Sequence, residues 1–152
     1  MPRLEEITYD LALRALADQE GALRDLRART GTLLTAASLI ASFLGGQAIA
    51  RAELSALVVL GVVAFAACVM LCIYVLLPKE GLIFAIDGPQ AYQALYAVRE
   101  DEEEVQRWLT YWVQGFRSNN HEAVKRLTLM FSLAGVALLF EIVFLALALA
   151  LG

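Results

Sequence analysis

The chain's C-terminal part is one apolar run, from Leu127 to Leu151, interrupted by a single charged residue, Glu141. An α-helix rises roughly 1.5 Å per residue, so about 20 apolar residues cross the roughly 30 Å hydrocarbon core of a bilayer. Inside that core only a helix or a closed barrel satisfies all of its own backbone hydrogen bonds. The run therefore predicts a transmembrane helix over residues 127–151.

Two similar apolar runs lie earlier in the chain, at residues 33–50 and 54–77. Hydrophobic residues make up 60% of the sequence, and its mean hydropathy is +0.65. Such a composition is unusual for a soluble domain of this length. We therefore predict an all-α membrane protein with three transmembrane helices, whose termini lie on opposite sides of the bilayer.

Basic residues near the ends of the three runs are distributed unequally between the two sides. Arg51 stands alone in the short loop between the first two runs. Near the ends of the runs the other side carries seven basic residues: Arg24, Arg27, Arg29, Lys79, Arg117, Lys125 and Arg126. By the positive-inside rule, the N-terminal segment 3–31 and the insert 79–126 are predicted to be cytoplasmic.

Both cytosolic segments are predicted to be helical. Segment 3–31 is rich in Ala, Leu and charged residues, so we expect a long helix that continues into the first span, as a packing stalk or on the lipid surface. The insert is predicted to hold a short helix over 89–98 and a second one starting near Asp101, where Glu104 has capping-box spacing. Residues 118–120 are predicted to end that second helix, and Asn119 to cap the last one.

The first span carries two neighbouring rows of small residues at helical spacing. One row is Ala37, Ala41 and Gly45, and the other is Ser38, Ser42 and Gly46. Small residues let membrane helices approach closely, and serines add interhelical hydrogen bonds. The rows predict a helix-packing surface, whose partner is either another span of the chain or a second copy.

Glu141 lies 14 residues after Leu127, about 21 Å along a helix and beyond the bilayer midplane. A carboxylate there costs about 2.5–3.5 kcal/mol on insertion scales, so we expect it to face protein or water. One hypothesis is a ring of Glu141 side chains lining a pore between copies. The alternative is a protonated or hydrogen-bonded side chain near Gln47, Ser55 or the lipid interface.

The insert concentrates aromatic and arginine side chains. Arginine grips phosphate and aromatic rings stack on bases, so this composition is suited to a nucleotide, although the same spacing also suits a small helical core. The candidate ligand-binding residues are Arg99, Arg107, Trp108, Tyr111, Trp112 and Arg117.

The sequence does not indicate catalysis, metal binding or cofactor binding. Cys68 and Cys72 lie four residues apart in the second span, where they are predicted to be packing residues. His121 is the single histidine, and the sequence has no catalytic set or phosphate-binding glycine loop. We therefore expect neither an enzyme, nor a metal site, nor a cofactor.

Three stretches carry a resemblance over nearly the whole chain: LRDLRARTGTLLTAASL, VLLPKEGLIF and GFRSNNHEAVKRLTL. In layout the chain resembles the small bacterial membrane effectors of the Pycsar antiphage systems and related CBASS-type membrane proteins. The resemblance implies a bacterial inner-membrane location, a homo-oligomer, and a cytosolic part that senses a cyclic nucleotide rather than a nucleic-acid polymer. It further implies that the assembled spans compromise the membrane.

The functional prediction is a ligand-controlled membrane effector that assembles from several copies. Two alternatives stay open. One is a constitutive accessory membrane protein that docks a partner through its cytosolic helices. The other is an ungated small ion channel.

Overall fold

The computed structural model describes residues 4–52, 55–79, 82 and 102–151. Within this described part every secondary-structure element is a helix, and no strand occurs, which confirms the all-α prediction. The elements are α1 (Leu4–Ile40), a π-helical segment (Ala41–Gly45), α2 (Gly46–Ala52), α3 (Ala56–Leu76) and α4 (Glu102–Leu151).

Three helical stretches are long and apolar enough to cross a membrane, which confirms the prediction of three spans. They fall within Glu6–Ala50, Ala56–Leu76 and Glu104–Leu151. Many large apolar side chains on them face outward, as expected for helices whose solvent is lipid. The protein is therefore a multi-pass membrane protein.

Helix α1 continues without a break through Gly21 into the first span, as the sequence predicts. Its residues are mostly strong helix formers, and no proline interrupts them. Near the middle, two exposed ion pairs at helical spacing support it: Arg24–Glu20 at 3.0 Å and Arg29–Asp25 at 2.8 Å.

The first span is not a uniform α-helix, because the five residues Ala41–Gly45 form a π segment. The pattern of apolar residues does not predict this change. It lies beside the pair Gly45–Gly46, where the low helix propensity of glycine weakens the regular α-helical geometry.

Helix α3 begins and ends close to its predicted limits. The Ser55 hydroxyl caps it by accepting a hydrogen bond from the Val58 backbone N–H at 3.4 Å. At the other end the Leu77 N–H donates to the Ile73 carbonyl at 2.9 Å, just before Pro78.

The prediction of a break at residues 118–120 is wrong. Helix α4 is continuous from Glu102 to Leu151, so Asn119 lies in mid-helix and does not cap a new one. Asn120 is buried, so its side chain is held inside the fold rather than available for a turn. Helices on either side favour propagation through a short polar stretch, because adding a residue to an existing helix needs no new nucleus. The predicted helix 89–98 and the Asp101 cap lie outside the described residues.

Two compact units divide the chain. The first combines Met1–Arg24 with Lys79–Lys125, and among its described residues Leu16, Leu23 and Val113 are buried. The second combines Asp25–Pro78 with Arg126–Gly152 and contains the three apolar spans.

Candidate functional site

The second unit packs its three spans through two clusters of small and apolar side chains. One cluster consists of Ala37, Cys68, Cys72 and Ala134, and the other of Ala48, Val58, Leu145 and Ala148. Both cysteines are buried and free, which confirms their prediction as packing residues. On every span, a stretch of helix separates the two clusters.

Glu141 lies in that stretch of α4, between Ala134 and Leu145. Its side chain is 0% exposed, and neither carboxyl oxygen has a hydrogen-bond partner. Cys68, on α3, is close enough to interact with it electrostatically. Glu141 therefore faces protein, which is one of the two surroundings, protein or water, that were expected for it.

A crevice of about 100 Å³ lies beside Glu141. Residues from all three spans line it: Ala41, Gly45, Gly46, Ile49, Gly61, Val62, Phe65, Glu141 and Leu145. Apart from the carboxyl group, these side chains are apolar. Ile49 and Val62 are each about half exposed, so the crevice opens outward between the first span and α3.

Glycines create the space in the crevice. A Cβ atom added at Gly45 or Gly46 would meet no described atom within 4 Å beyond its chain neighbours and its own helix backbone, so there is open space beside these residues. At Gly61 the same atom would lie 2.7 Å from Leu145 Cδ2, because α3 and α4 are in close contact there. The π segment also borders the crevice, and such departures from α geometry occur frequently at functional sites.

Neither polar neighbour proposed for Glu141 is its partner. The Ser55 hydroxyl is used in capping α3, and Gln47 is exposed on the first span. The interpretation of Glu141 as hydrogen-bonded to one of these residues is therefore wrong. A pore ring between copies stays a prediction, although the carboxyl group is enclosed by helices of its own chain.

The two small-residue rows of the first span face different surroundings. Ala37 and Gly45 are buried and Ala41 is half-buried, so this row packs inside the chain. The second row, Ser38, Ser42 and Gly46, is exposed. Its hydroxyl groups donate within their own helix, from Ser38 to the Leu34 carbonyl at 2.9 Å and from Ser42 to the Ser38 carbonyl at 2.8 Å.

The candidate ligand-binding residues of the first unit also differ in how exposed their side chains are. Arg107, Trp108 and Tyr111 are exposed and share one face of α4. Trp112 is half-buried, and its ring centroid lies 5.6 Å from that of Phe116, so it contributes to the small core. Arg117 is exposed, and its backbone carbonyl accepts a hydrogen bond from Gln19 Nε2 at 3.4 Å. Arg99 lies outside the described residues.

The sequence did not predict the crevice, and five of its lining residues were not among the predicted site residues: Ile49, Gly61, Val62, Phe65 and Leu145. An available signal was Gly61 itself, since a glycine within a continuous apolar span indicates close approach of another helix. The π segment had no comparable signal. The chain matches no model of a known protein family, no curated protein and no solved structure.

Proposed function

We propose that the protein is a membrane effector that assembles from several copies and permeabilises the membrane under the control of a small cytosolic ligand. The observation that carries this proposal is the exposed row Ser38, Ser42 and Gly46 on the first span. In a span that only packed inside its own chain, this outer face would need no small residues. Large apolar side chains, such as the leucine and phenylalanine residues found nearby, are better suited to contact with lipid.

Assembly through this row has a simple physical basis. In a bilayer the hydrophobic effect does not hold helices together, so association depends on close packing and on interhelical hydrogen bonds. The exposed row offers both a shallow surface and two hydroxyl groups. Because three helices enclose little space, a conduit for ions or solutes needs helices from several copies.

The direction of the chain in the membrane is part of the proposal. The seven basic residues near the span ends favour a cytoplasmic N-terminal segment and a cytoplasmic insert, with the C-terminus on the opposite side of a bacterial inner membrane. A ligand made in the cytoplasm would then reach the first unit directly.

The exposed face of Arg107, Trp108 and Tyr111 supports a ligand with a base and a phosphate. Trp108 is 59% and Tyr111 is 71% exposed, so both rings are free to stack. A guanidinium group beside them can pair with a phosphate oxygen. A cyclic nucleotide, the ligand class that the family resemblance implies, carries both groups.

Leakage from liposomes tests this function. Vesicles containing the full chain and a trapped dye are challenged with cyclic mono- and oligonucleotides, and leakage is expected only when the active ligand is present. Ser42→Leu should reduce both the oligomer in detergent and the leakage, because it adds bulk to the proposed contact. Val63→Phe, which adds bulk on an exposed face of α3, is the matched control. If no nucleotide causes leakage or binds the chain, the proposal fails.

A second candidate function rests on a different observation. Leu4, Ile7 and Leu11 form an exposed apolar row at helical spacing on α1. This row favours an accessory membrane protein that docks a partner through its cytosolic helices. Crosslinking from position 7 in native membranes separates the two candidate functions. Products that contain a different protein would support docking of a partner, whereas products that contain only copies of this chain would argue against it.

A further inference from the structure

The Glu141 carboxyl group is the polar part of an otherwise apolar crevice within the spans. It is fully buried, and both of its oxygens lack a hydrogen-bond partner. Polar groups buried in this way usually have a partner, and an exception needs an explanation. Intramembrane carboxyl groups commonly mark ion or proton pathways.

The crevice beside this group is large enough to hold a small ligand. Its volume of about 100 Å³ exceeds the roughly 10–15 Å³ of such cavity space that one water molecule needs. It runs from Glu141 to the outside past Ile49 and Val62. Glycines keep it open, since Gly45 presents no side chain to fill it.

The lining selects the ligand by its chemistry. A carboxylate attracts a cation, and the described residues that line the crevice include no lysine, arginine or histidine to neutralise it. The lining residues that the structure describes on the first span carry no titratable group, and α3 contributes Cys68 and Cys72 nearby. Metal ions such as Ca²⁺ need six or more oxygen ligands, and the described residues contain no cluster of three metal-binding side chains. A proton needs one acceptor oxygen.

We propose that Glu141 is a proton-binding site within the spans and that the crevice between the first span and α3 is the route by which a proton reaches it. One proton binds per chain and converts the carboxylate to a neutral carboxylic acid. This form is compatible with an apolar cavity, where an unpaired charge is strongly disfavoured. The proposal does not depend on ligand control or on assembly.

A hydrophobic carbodiimide tests the proton directly. Dicyclohexylcarbodiimide takes the acid proton onto one nitrogen while the carboxylate oxygen adds to its central carbon. The adduct then rearranges to a stable N-acylurea, with no leaving group. We expect mass spectrometry of the full chain in detergent to find the label on Glu141 and none at position 141 of Glu141→Gln.

The dependence on pH and on cations identifies the ligand. Above the pH at which the acid ionises, the labelling rate should fall about tenfold per pH unit. Replacing choline by Na⁺ or K⁺ at constant ionic strength should leave the rate unchanged. Protection by Na⁺ or K⁺ would identify an alkali-metal site and overturn the proposal. So would a Glu141 that is labelled only after unfolding in dodecyl sulfate.

The route is tested by filling the crevice. Gly45→Val should slow labelling of Glu141 by about tenfold or more, whereas Ala50→Val, on an exposed face of the same span, should leave it unchanged. Gly45→Ala adds a single methyl group and should give an intermediate rate, which keeps the test usable if valine impairs folding. Equal rates in all three variants would overturn the crevice as the route. Because labelling needs neither flux nor ligand, its failure would leave the effector proposal standing.

Discussion

The contact between Gly61 and Leu145 allows a sharp prediction about packing of the spans. A Cβ atom at Gly61 would lie 2.7 Å from Leu145 Cδ2 and 2.9 Å from its Cγ. Separations below 3.0 Å force a shift of the Leu145 side chain, which is only 2% exposed and borders the crevice into which it would have to turn. Gly61→Ala should therefore strain this junction.

The expected size of the effect follows from two opposing terms. Overpacking a well-packed core costs about 1–3 kcal/mol. Replacing glycine by alanine within a helix contributes about 0.8–1.0 kcal/mol of stability. Gly45→Ala gains the second term without the first, because nothing lies within 4 Å of its added methyl group. The two variants should therefore differ by about 1–3 kcal/mol, with Gly61→Ala the less stable.

Thermal unfolding of the detergent-solubilised chain, followed by circular dichroism, measures this difference. For a chain of this size about 1 kcal/mol shifts the Tm by about 2–4 °C, so the Tm of Gly61→Ala should lie about 2–12 °C below that of Gly45→Ala. Leu145→Ala removes the colliding atoms. On that background Gly61→Ala should no longer destabilise, which a double-mutant cycle would register as coupling.

Two results would refute this reasoning. Equal Tm values for Gly61→Ala and Gly45→Ala would mean that α3 and α4 are not in close contact at this point. Persistent destabilisation by Gly61→Ala in the Leu145→Ala background would mean that another neighbour causes the effect.

Three further predictions concern burial and charge. Glu141→Leu should raise stability by about 1–3 kcal/mol in the same unfolding assay, because it removes a buried polar group that has no partner; a lower Tm would contradict this. Leu16→Ala should lower stability by about 2–5 kcal/mol and increase hydrogen exchange in the first unit, whereas Leu11→Ala, at an exposed position, should change it by less than about 0.5 kcal/mol; equal effects would be inconsistent with the described core. A double-mutant cycle on the exposed Arg24–Glu20 pair should give about 0.3–0.5 kcal/mol at low salt and less at high salt, and a value unaffected by salt would argue against an ion pair.

Much of the helical organisation follows from local sequence. Apolar runs of sufficient length predict the three spans, because a membrane leaves few ways to satisfy a backbone. The absence of proline and the abundance of helix formers predict that α1 continues into the first span. The polar stretch at residues 118–120 led to the wrong prediction of a helix break, because a turn there and a continuous helix differ by little in local free energy. The burial of Asn120 depends on the elements packed around it, so local sequence does not predict it.

The sequence by itself determined that Glu141 must avoid lipid and that the first span has two rows suited to close packing. Only the tertiary structure decided that the row with Ala37 faces inward and the row with Ser42 faces outward. Likewise, only the packing of three spans placed Glu141 beside a crevice, where Gly45 leaves space and Gly61 admits Leu145. The physical reason is that helical periodicity defines the faces of each helix, whereas the contact partner of a face depends on the shapes of all the helices packed together.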